Sequence, residues 1–242
     1  MEDFGQDTRP QAADPQNRFD LTGALSGAKG VIPLALSAAT YGLAFGVLAQ
    51  KTGLSSGEIL LMSGLVFAGA SQFVALDMWI QPLDFWALVI TTFVVNLRHL
   101  LMGAAIRPYF TGLSPLKAYG SVFFMADENW ALSMDRLNRG RDNAAVLIGS
   151  GLMVYAAWLG STWAGGLAAA WVTDPARWGI DFAFTAAFVA LMVSMWRGKG
   201  DLAPWLVAAL VSTAAAQVLP GKWYILIGGL AGSLFGMVRD GR

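Results

Sequence analysis

Long apolar runs recur along this chain and constrain its fold more than any other feature. A helix that crosses the hydrocarbon core of a bilayer needs about 20 mostly apolar residues, because each residue rises about 1.5 Å. The sequence therefore predicts an all-α, polytopic transmembrane bundle. The segments that meet this requirement are Val31–Ala49, Glu58–Leu76, Phe85–Ala105, Ala144–Val172, Ile180–Trp196, Leu202–Leu219 and Trp223–Val238.

An eighth candidate span, Lys117–Met134, is apolar at both ends but carries Asp127, Glu128 and Asn129 in its middle. Lys and Arg prefer the cytoplasmic loops. With eight spans and a cytoplasmic N-terminus, the basic cluster that follows the eighth candidate lies inside, and without that span it lies outside. The charge pattern therefore favours about eight spans. The members of the cluster are Arg136, Arg139 and Arg141.

Composition excludes several classes of protein. Only 13% of residues are charged, against about a quarter in soluble domains, and Lys plus Arg balances Asp plus Glu at 16 each. This balance gives no reason to expect a nucleic-acid partner. The chain has no cysteine and one histidine, so we expect no metal and no cofactor. The polar, Pro-containing residues 1–29 predict a disordered cytoplasmic tail before a transporter domain at residues 30–242.

Small residues recur at helical spacing in the first and last predicted spans. Glycines four residues apart let helix backbones approach closely in lipid, either against a partner or moving surface or within one chain. Val66–Leu76 and Phe182–Leu191 also resemble each other. This resemblance leaves open two related four-helix halves. The spaced glycines are Gly42, Gly46, Gly228, Gly232 and Gly236.

The third predicted span contains Asn96, Arg98 and His99, which are costly in hydrocarbon. In the functional interpretation, Arg98 binds a substrate carboxylate or a fixed acidic partner, and His99 relays protons or orients substrate. In the alternative, Arg98 reaches the membrane surface and His99 makes a structural hydrogen bond. Both interpretations stay open.

Asp127 and Glu128 are adjacent acids near the middle of their predicted span. Burial and a like-charged neighbour favour the protonated form of a carboxyl group, which suits a proton carrier. The alternative is a helix break, or a structural ion pair with Arg98.

The second predicted span ends in small residues followed by an amide. Transporters commonly break a helix at mid-membrane so that free backbone groups hold a substrate. Gly69, Ala70 and Ser71 predict such an unwound segment, with Gln72 as a further polar contact. An intact helix that packs through its small residues is the alternative.

These segments also carry a family resemblance. GLAFGVLAQKTGLSSGEILLMSGLVFAGASQF, NLRHLLMGAAIRPY and ADENWAL resemble the large subunit of branched-chain amino acid exporters, the AzlC-type permeases. Family members tend to carry Thr where this chain has Ala126. The resemblance implies export of branched-chain amino acids across a bacterial inner membrane, together with a small AzlD-type membrane subunit.

The combined hypothesis is an alternating-access secondary transporter that exports by proton antiport, rather than an enzyme. Its pocket is expected between the second, third and fourth predicted spans, with Asp127 or Glu128 near the substrate ammonium group and, with His99, coupling to protons. Alternatives are a scaffold subunit whose pathway lies in a partner, and an intramembrane lipid-modifying enzyme. The predicted substrate contacts are Gly69, Ser71, Gln72, Asn96, Arg98, Phe45, Phe67 and Phe73.

Overall fold

All regular secondary structure that the computed structural model describes is helical, which confirms the predicted class. The structure describes residues 19–79, 83–174, 176–179, 182, 185, 186, 189, 192, 193, 196, 198–219 and 223–240. Most of the predicted span Ile180–Trp196 lies outside these residues.

The helices are shorter and more numerous than the predicted spans. Within the described residues, three 3-10 turns accompany them, at Arg107–Phe110, Ala176–Trp178 and Lys199–Asp201. The helices are α1 (Leu21–Gly30), α2 (Ile32–Lys51), α3 (Ser56–Val66), α4 (Gly69–Asp77), α5 (Phe85–Asn96), α6 (Arg98–Ile106), α7 (Pro115–Phe123), α8 (Asp127–Asn138), α9 (Ala145–Ala168), α10 (Leu202–Val218) and α11 (Trp223–Asp240).

Four helical stretches among the described residues are long and apolar enough to cross a membrane. Two shorter apolar helices, Ser56–Val66 and Trp223–Arg239, accompany them. The number eight and the two related halves therefore stay predictions. The four stretches are Ile32–Lys51, Phe85–Phe110, Ala145–Ala168 and Lys199–Val218.

Helix α1 corrects the expectation that the tail is disordered as far as residue 29. The Asp20 carboxylate caps the helix by accepting a hydrogen bond from the Gly23 amide. It also accepts hydrogen bonds from the Thr22 hydroxyl and the Asn143 amide, at 2.6 and 2.8 Å. The Thr22 hydroxyl, the Gly23 amide and the Asn143 side chain lower the pKa of Asp20 to about 2. Polar composition suggested disorder, but these contacts with a distant segment order residues 21–29.

The chain divides into two compact units. The first contains Met1–Ala35 and Met102–Tyr155, and the second contains Leu36–Leu101 and Ala156–Arg242. The first unit has a core of buried apolar side chains. These are Met102, Ile106, Phe110, Met125, Leu137, Ala144, Val146 and Leu147.

Glycines bring helix backbones together within each unit. In the first, Gly149 of α9 lies against the Ala24 backbone of α1. In the second, Gly42 and Gly46 of α2 lie against Ser161 and Thr162 of α9. The spaced glycines of α2 therefore pack within the chain, as the second interpretation of this pattern expected. The same holds for α11, where Gly228 and Gly232 lie against Ser212 and Ala208 of α10.

We expect Gly149→Ala to destabilise the protein. The added methyl group would overlap the Ala24 backbone, which cannot move aside as a flexible side chain can. Overpacking of this kind costs about 1–3 kcal/mol. Outside the neighbouring turns of its own helix, Gly160 of α9 has no atom of the described chain within 4 Å of an added Cβ. Thermal unfolding in detergent should show a lower Tm for Gly149→Ala and an equal or higher Tm for Gly160→Ala. Equal Tm values for both variants would contradict the packing.

Candidate functional site

A break separates α3 from α4 in the second predicted span. Phe67 adopts the left-handed conformation, with φ 40° and ψ 47°, and Ala68 follows with φ −138° and ψ 84°. Phe67 is the one non-glycine residue of the described ranges that has a positive φ. Such strain costs about 1–3 kcal/mol and is concentrated at functional sites. The unwound segment expected at Gly69–Ser71 thus lies at residues 67 and 68 instead.

Gly69, Ala70 and Ser71 form the first turn of α4. Backbone N–H groups in this turn have no partner within the helix, and no side chain caps it. The turn is nevertheless inside the protein, because Ala68, Ala70 and Ser71 are buried and Gly69 is half-buried. The Ser71 side chain is 1% exposed. Its hydroxyl has no hydrogen-bond partner among the residues that the structure describes.

Three other helices of the described chain begin with a capping side chain, whereas α7, α8 and α10 begin, like α4, without one. Asp20, Ser55 and Asp84 cap α1, α3 and α5 by accepting hydrogen bonds from first-turn amides. Such a side chain replaces the water that would otherwise solvate these groups. The start of α4 is therefore a buried group of donors that lacks this protection.

Gln72 fixes the geometry of the break. Its side chain is fully buried, and its Nε2 donates to the Ser63 hydroxyl of α3 at 3.2 Å. Its Oε1 accepts from the Trp158 indole of α9 at 3.0 Å. Both ends of the amide therefore bind protein groups and join three helices. This arrangement gives Gln72 a positioning role, while its predicted contact with substrate stays a prediction.

Two of the predicted phenylalanines, on α2 and α4, pack against each other beside Trp158 of α9. The Phe45 ring is fully buried, meets Phe73 edge to face at 5.6 Å and stacks on Trp158 at 5.9 Å. Trp158 also lies beside Gly69, where an added Cβ would be 3.0 Å from its ring. Phe67 is buried at the break itself. A larger residue at position 69 would therefore displace the indole that holds Gln72.

A second, milder interruption separates α5 from α6 at Leu97. Asn96, Arg98 and His99 lie around it and are all half-buried. His99 Nδ1 lies 3.2 Å from the Asn96 carbonyl oxygen. Because a carbonyl only accepts, Nδ1 carries the proton and Nε2 of the neutral ring is left as the acceptor. The Asn96 Oδ1 atom is buried and has no hydrogen-bond partner within the described part of the chain.

The first unit contains a further break, between α7 and α8. Helix α7 ends at Phe123, and Asp127 and Glu128 occupy the first turn of α8. The sequence analysis placed these acids near the middle of a span, and the helix break that it gave as the alternative is what the structure shows. A helix N-terminus attracts negative charge. The acids are therefore placed where the helix dipole stabilises them.

Asn129 joins the two sides of this break. Its Oδ1 accepts from the Ala126 amide at 2.6 Å, and its Nδ2 donates to the carbonyls of Phe124 and Leu147 at 3.0 and 3.2 Å. The side chain is fully buried. Sequence reasoning noted Asn129 only as a polar interruption. Its position directly after two acids in an apolar segment was the available signal.

Arg136 also has a role that charge counting missed. Its Nη1 donates to the Ser26 hydroxyl at 2.7 Å and pairs with Asp142 at 2.9 Å. The Asp142 side chain is nearly buried. This group links α1 to the connection between α8 and α9. Arg136 is therefore a structural cation.

The predicted site residues fall into both units. Asp127 and Glu128 belong to the first unit. The remaining ones, which belong to the second, are Phe45, Phe67, Gly69, Ser71, Gln72, Phe73, Asn96, Arg98 and His99.

Comparison with known proteins identifies the family. Residues 33–172, more than half of the chain, match the AzlC protein family. The chain belongs to the AzlC family. This AzlC-family chain is 24% identical over 196 residues to the branched-chain amino acid transport protein AzlC of Bacillus subtilis, covering 81% of the chain and 76% of that relative. No solved structure matches it.

Two further relatives are named as membrane proteins. The inner membrane protein YgaZ of Escherichia coli is 27% identical over 201 residues, which covers 81% of each chain. An uncharacterized membrane protein of Archaeoglobus fulgidus is 32% identical over 169 residues, covering 69% of this chain and 73% of that one. The AzlC-family chain is thus a membrane protein of a transport family and not an enzyme.

We expect Trp158→Phe to destabilise this AzlC-family protein, because the change leaves the Gln72 Oε1 atom buried without its donor. An unsatisfied buried acceptor costs about 1–3 kcal/mol. Trp163 lies on the same helix but is half exposed, so Trp163→Phe is the matched control. Thermal unfolding in detergent should show a larger fall in Tm for Trp158→Phe. The same small change in both variants would refute a positioning role for this hydrogen bond.

Proposed function

We propose that this protein exports branched-chain and other hydrophobic amino acids across the cytoplasmic (inner) membrane by proton antiport. The observation that carries the proposal is the buried, uncapped first turn of α4, which presents donors in a membrane protein of a transport family. The name of the Bacillus subtilis relative, a branched-chain amino acid transport protein, supports the choice of cargo.

The chemistry of the second unit suits a hydrophobic zwitterion. A helix N-terminus carries partial positive charge and free N–H groups, which favour a carboxylate. Phe67 and Phe73 supply apolar surface close to that turn and suit an aliphatic side chain. Arg98 is the cationic candidate of the same unit. We therefore assign the cargo to the second unit.

Proton coupling is assigned to Asp127 and Glu128 in the first unit. Two adjacent carboxylates in the first turn of α8 repel each other. Binding of one proton to the pair relieves that repulsion. His99 is the further candidate for a proton relay, through the Nε2 that its bond to Asn96 leaves available. Protons entering the cell down their gradient would then drive the amino acid outward.

The remaining parts of the proposal concern assembly and orientation. We place the N-terminus in the cytoplasm, because the basic residues after α8 then lie inside. A small AzlD-type membrane subunit is the proposed partner.

We expect the Asp127→Asn, Glu128→Gln double variant to lose coupling. In proteoliposomes that also hold the small subunit, leucine efflux driven by a pH gradient should fall at least about tenfold, because neither side chain can carry a proton. Leucine exchange without a gradient should persist. Asp135→Asn is the matched control, since Asp135 also lies on α8 but is half exposed and paired with Arg139.

Each outcome bears on a different part of the proposal. Gradient-driven efflux that is unchanged in the double variant would exclude the acidic pair as the proton carrier. Efflux that does not respond to the gradient in the unaltered protein would exclude antiport. If leucine moves only toward the cytoplasmic side of the reconstituted protein, export is excluded.

A further inference from the structure

Two buried polar atoms of the second unit stand out because nothing in the described chain satisfies them. They are the Ser71 hydroxyl and the Asn96 Oδ1 atom. A buried polar atom without a partner costs about 1–3 kcal/mol, and native proteins retain few of them. Both atoms lie next to a helix interruption, Ser71 after residues 67 and 68 and Asn96 before Leu97.

The two atoms differ in what they can bind. The Ser71 hydroxyl can donate a hydrogen bond, and it stands in the first turn of α4 among backbone N–H groups that also donate. The Asn96 Oδ1 atom can only accept. One location therefore suits an anion, and the other suits a cationic or neutral N–H donor.

We infer that these atoms divide the recognition of an α-amino acid zwitterion between them. Ser71 and the first-turn amides of α4 bind the carboxylate, and Asn96 Oδ1 accepts from the ammonium group. This inference rests on the proposed function and assigns the ammonium group to a neutral amide rather than to the acidic pair. Asp127 and Glu128 are thereby left to proton coupling alone.

The packing of the helices is consistent with this division. Helix α4 contacts α5, and the short connection of residues 78–84 favours an antiparallel pair. Ser71 lies six residues before the end of α4 and Asn96 eleven residues after the start of α5. On helical rise alone, this places Asn96 about 7.5 Å further from the connection than Ser71. Two hydrogen bonds of about 2.8 Å and the short span of an amino acid head group bridge such an offset.

An accepting amide has an advantage over a carboxylate at this position. An ion pair in a low-dielectric site holds its ligand through strong attraction, which slows release. A neutral oxygen contributes one charge-assisted hydrogen bond without a full opposite charge. A carrier that must release its cargo on the other side of the membrane benefits from the weaker contact.

Binding of leucine and two analogues to the purified full-length chain tests the inference. The analogue 3-methylbutylamine lacks the carboxylate, and 4-methylpentanoate lacks the ammonium group. We expect Ser71→Ala to weaken leucine and 4-methylpentanoate about tenfold or more and to leave the amine unchanged. Asn96→Leu should weaken leucine and the amine to a similar extent and leave 4-methylpentanoate unchanged.

Stability of the ligand-free protein separates a binding role from a structural one. Ser71→Ala removes a hydroxyl that has no partner, so the Tm should not fall. Ser63→Ala is the matched control, because it removes the acceptor of Gln72 and should lower the Tm. A fall in Tm for Ser71→Ala equal to that for Ser63→Ala would assign the hydroxyl to the fold and overturn the inference.

The remaining outcomes are decisive as well. Unchanged leucine affinity in either variant overturns the division of recognition. Equal weakening of all three compounds also overturns it, while leaving the proposed function in place. If the unaltered chain binds no branched-chain amino acid, the proposed function fails and the inference fails with it.

Discussion

The backbone groups exposed at interrupted helices are the constraint on which the rest of this structure depends. Hydrocarbon offers no water to solvate them, so each interruption needs partners from the protein itself. A buried amide meets this requirement at the α7–α8 break, whereas the buried amide at the α3–α4 break binds side chains and fixes the positions of the helices. Gln72 joins Ser63 of α3 to Trp158 of α9, and Asn129 joins Phe124, Ala126 and Leu147. An amide suits the task because it donates and accepts without carrying charge.

The two breaks differ in how their following helix begins. At α8, Asn129 accepts from the Ala126 amide and two acids occupy the first turn, so the protein itself supplies negative charge. At α4, the first turn holds glycine, alanine and serine and has no capping side chain. The start of α8 therefore carries acidic groups of the protein itself, while that of α4 presents donors without an acceptor side chain at its cap. This difference is local to each unit and depends on which residue types follow the break.

Patterns within one segment made part of this architecture predictable. Apolar runs predicted helices, and the small residues of FAGASQF predicted an interruption within two residues of its position. The left-handed Phe67 was not predictable, because an aromatic residue adopts that conformation only when its surroundings hold it there. Helix α1, Asn129 and Trp158 depend on residues far away in sequence, such as Asn143, Leu147 and Gln72. The composition of a single segment does not indicate such distant partners.

Helix α9 remains unbroken although it contains Ser150, Ser161 and Thr162. Its hydroxyls bond to carbonyls of their own helix, as Ser150 does with Val146 at 2.7 Å and Thr162 with Leu159 at 3.1 Å. They therefore need no external partner and leave the helical ladder intact. Trp158 is the exception, since its indole points to Gln72. Helix α9 is continuous and provides one donor, the Trp158 indole, at the α4 break. This contact fixes the local geometry, so the strained Phe67 and the unsatisfied Ser71 hydroxyl persist while the surrounding helices stay intact.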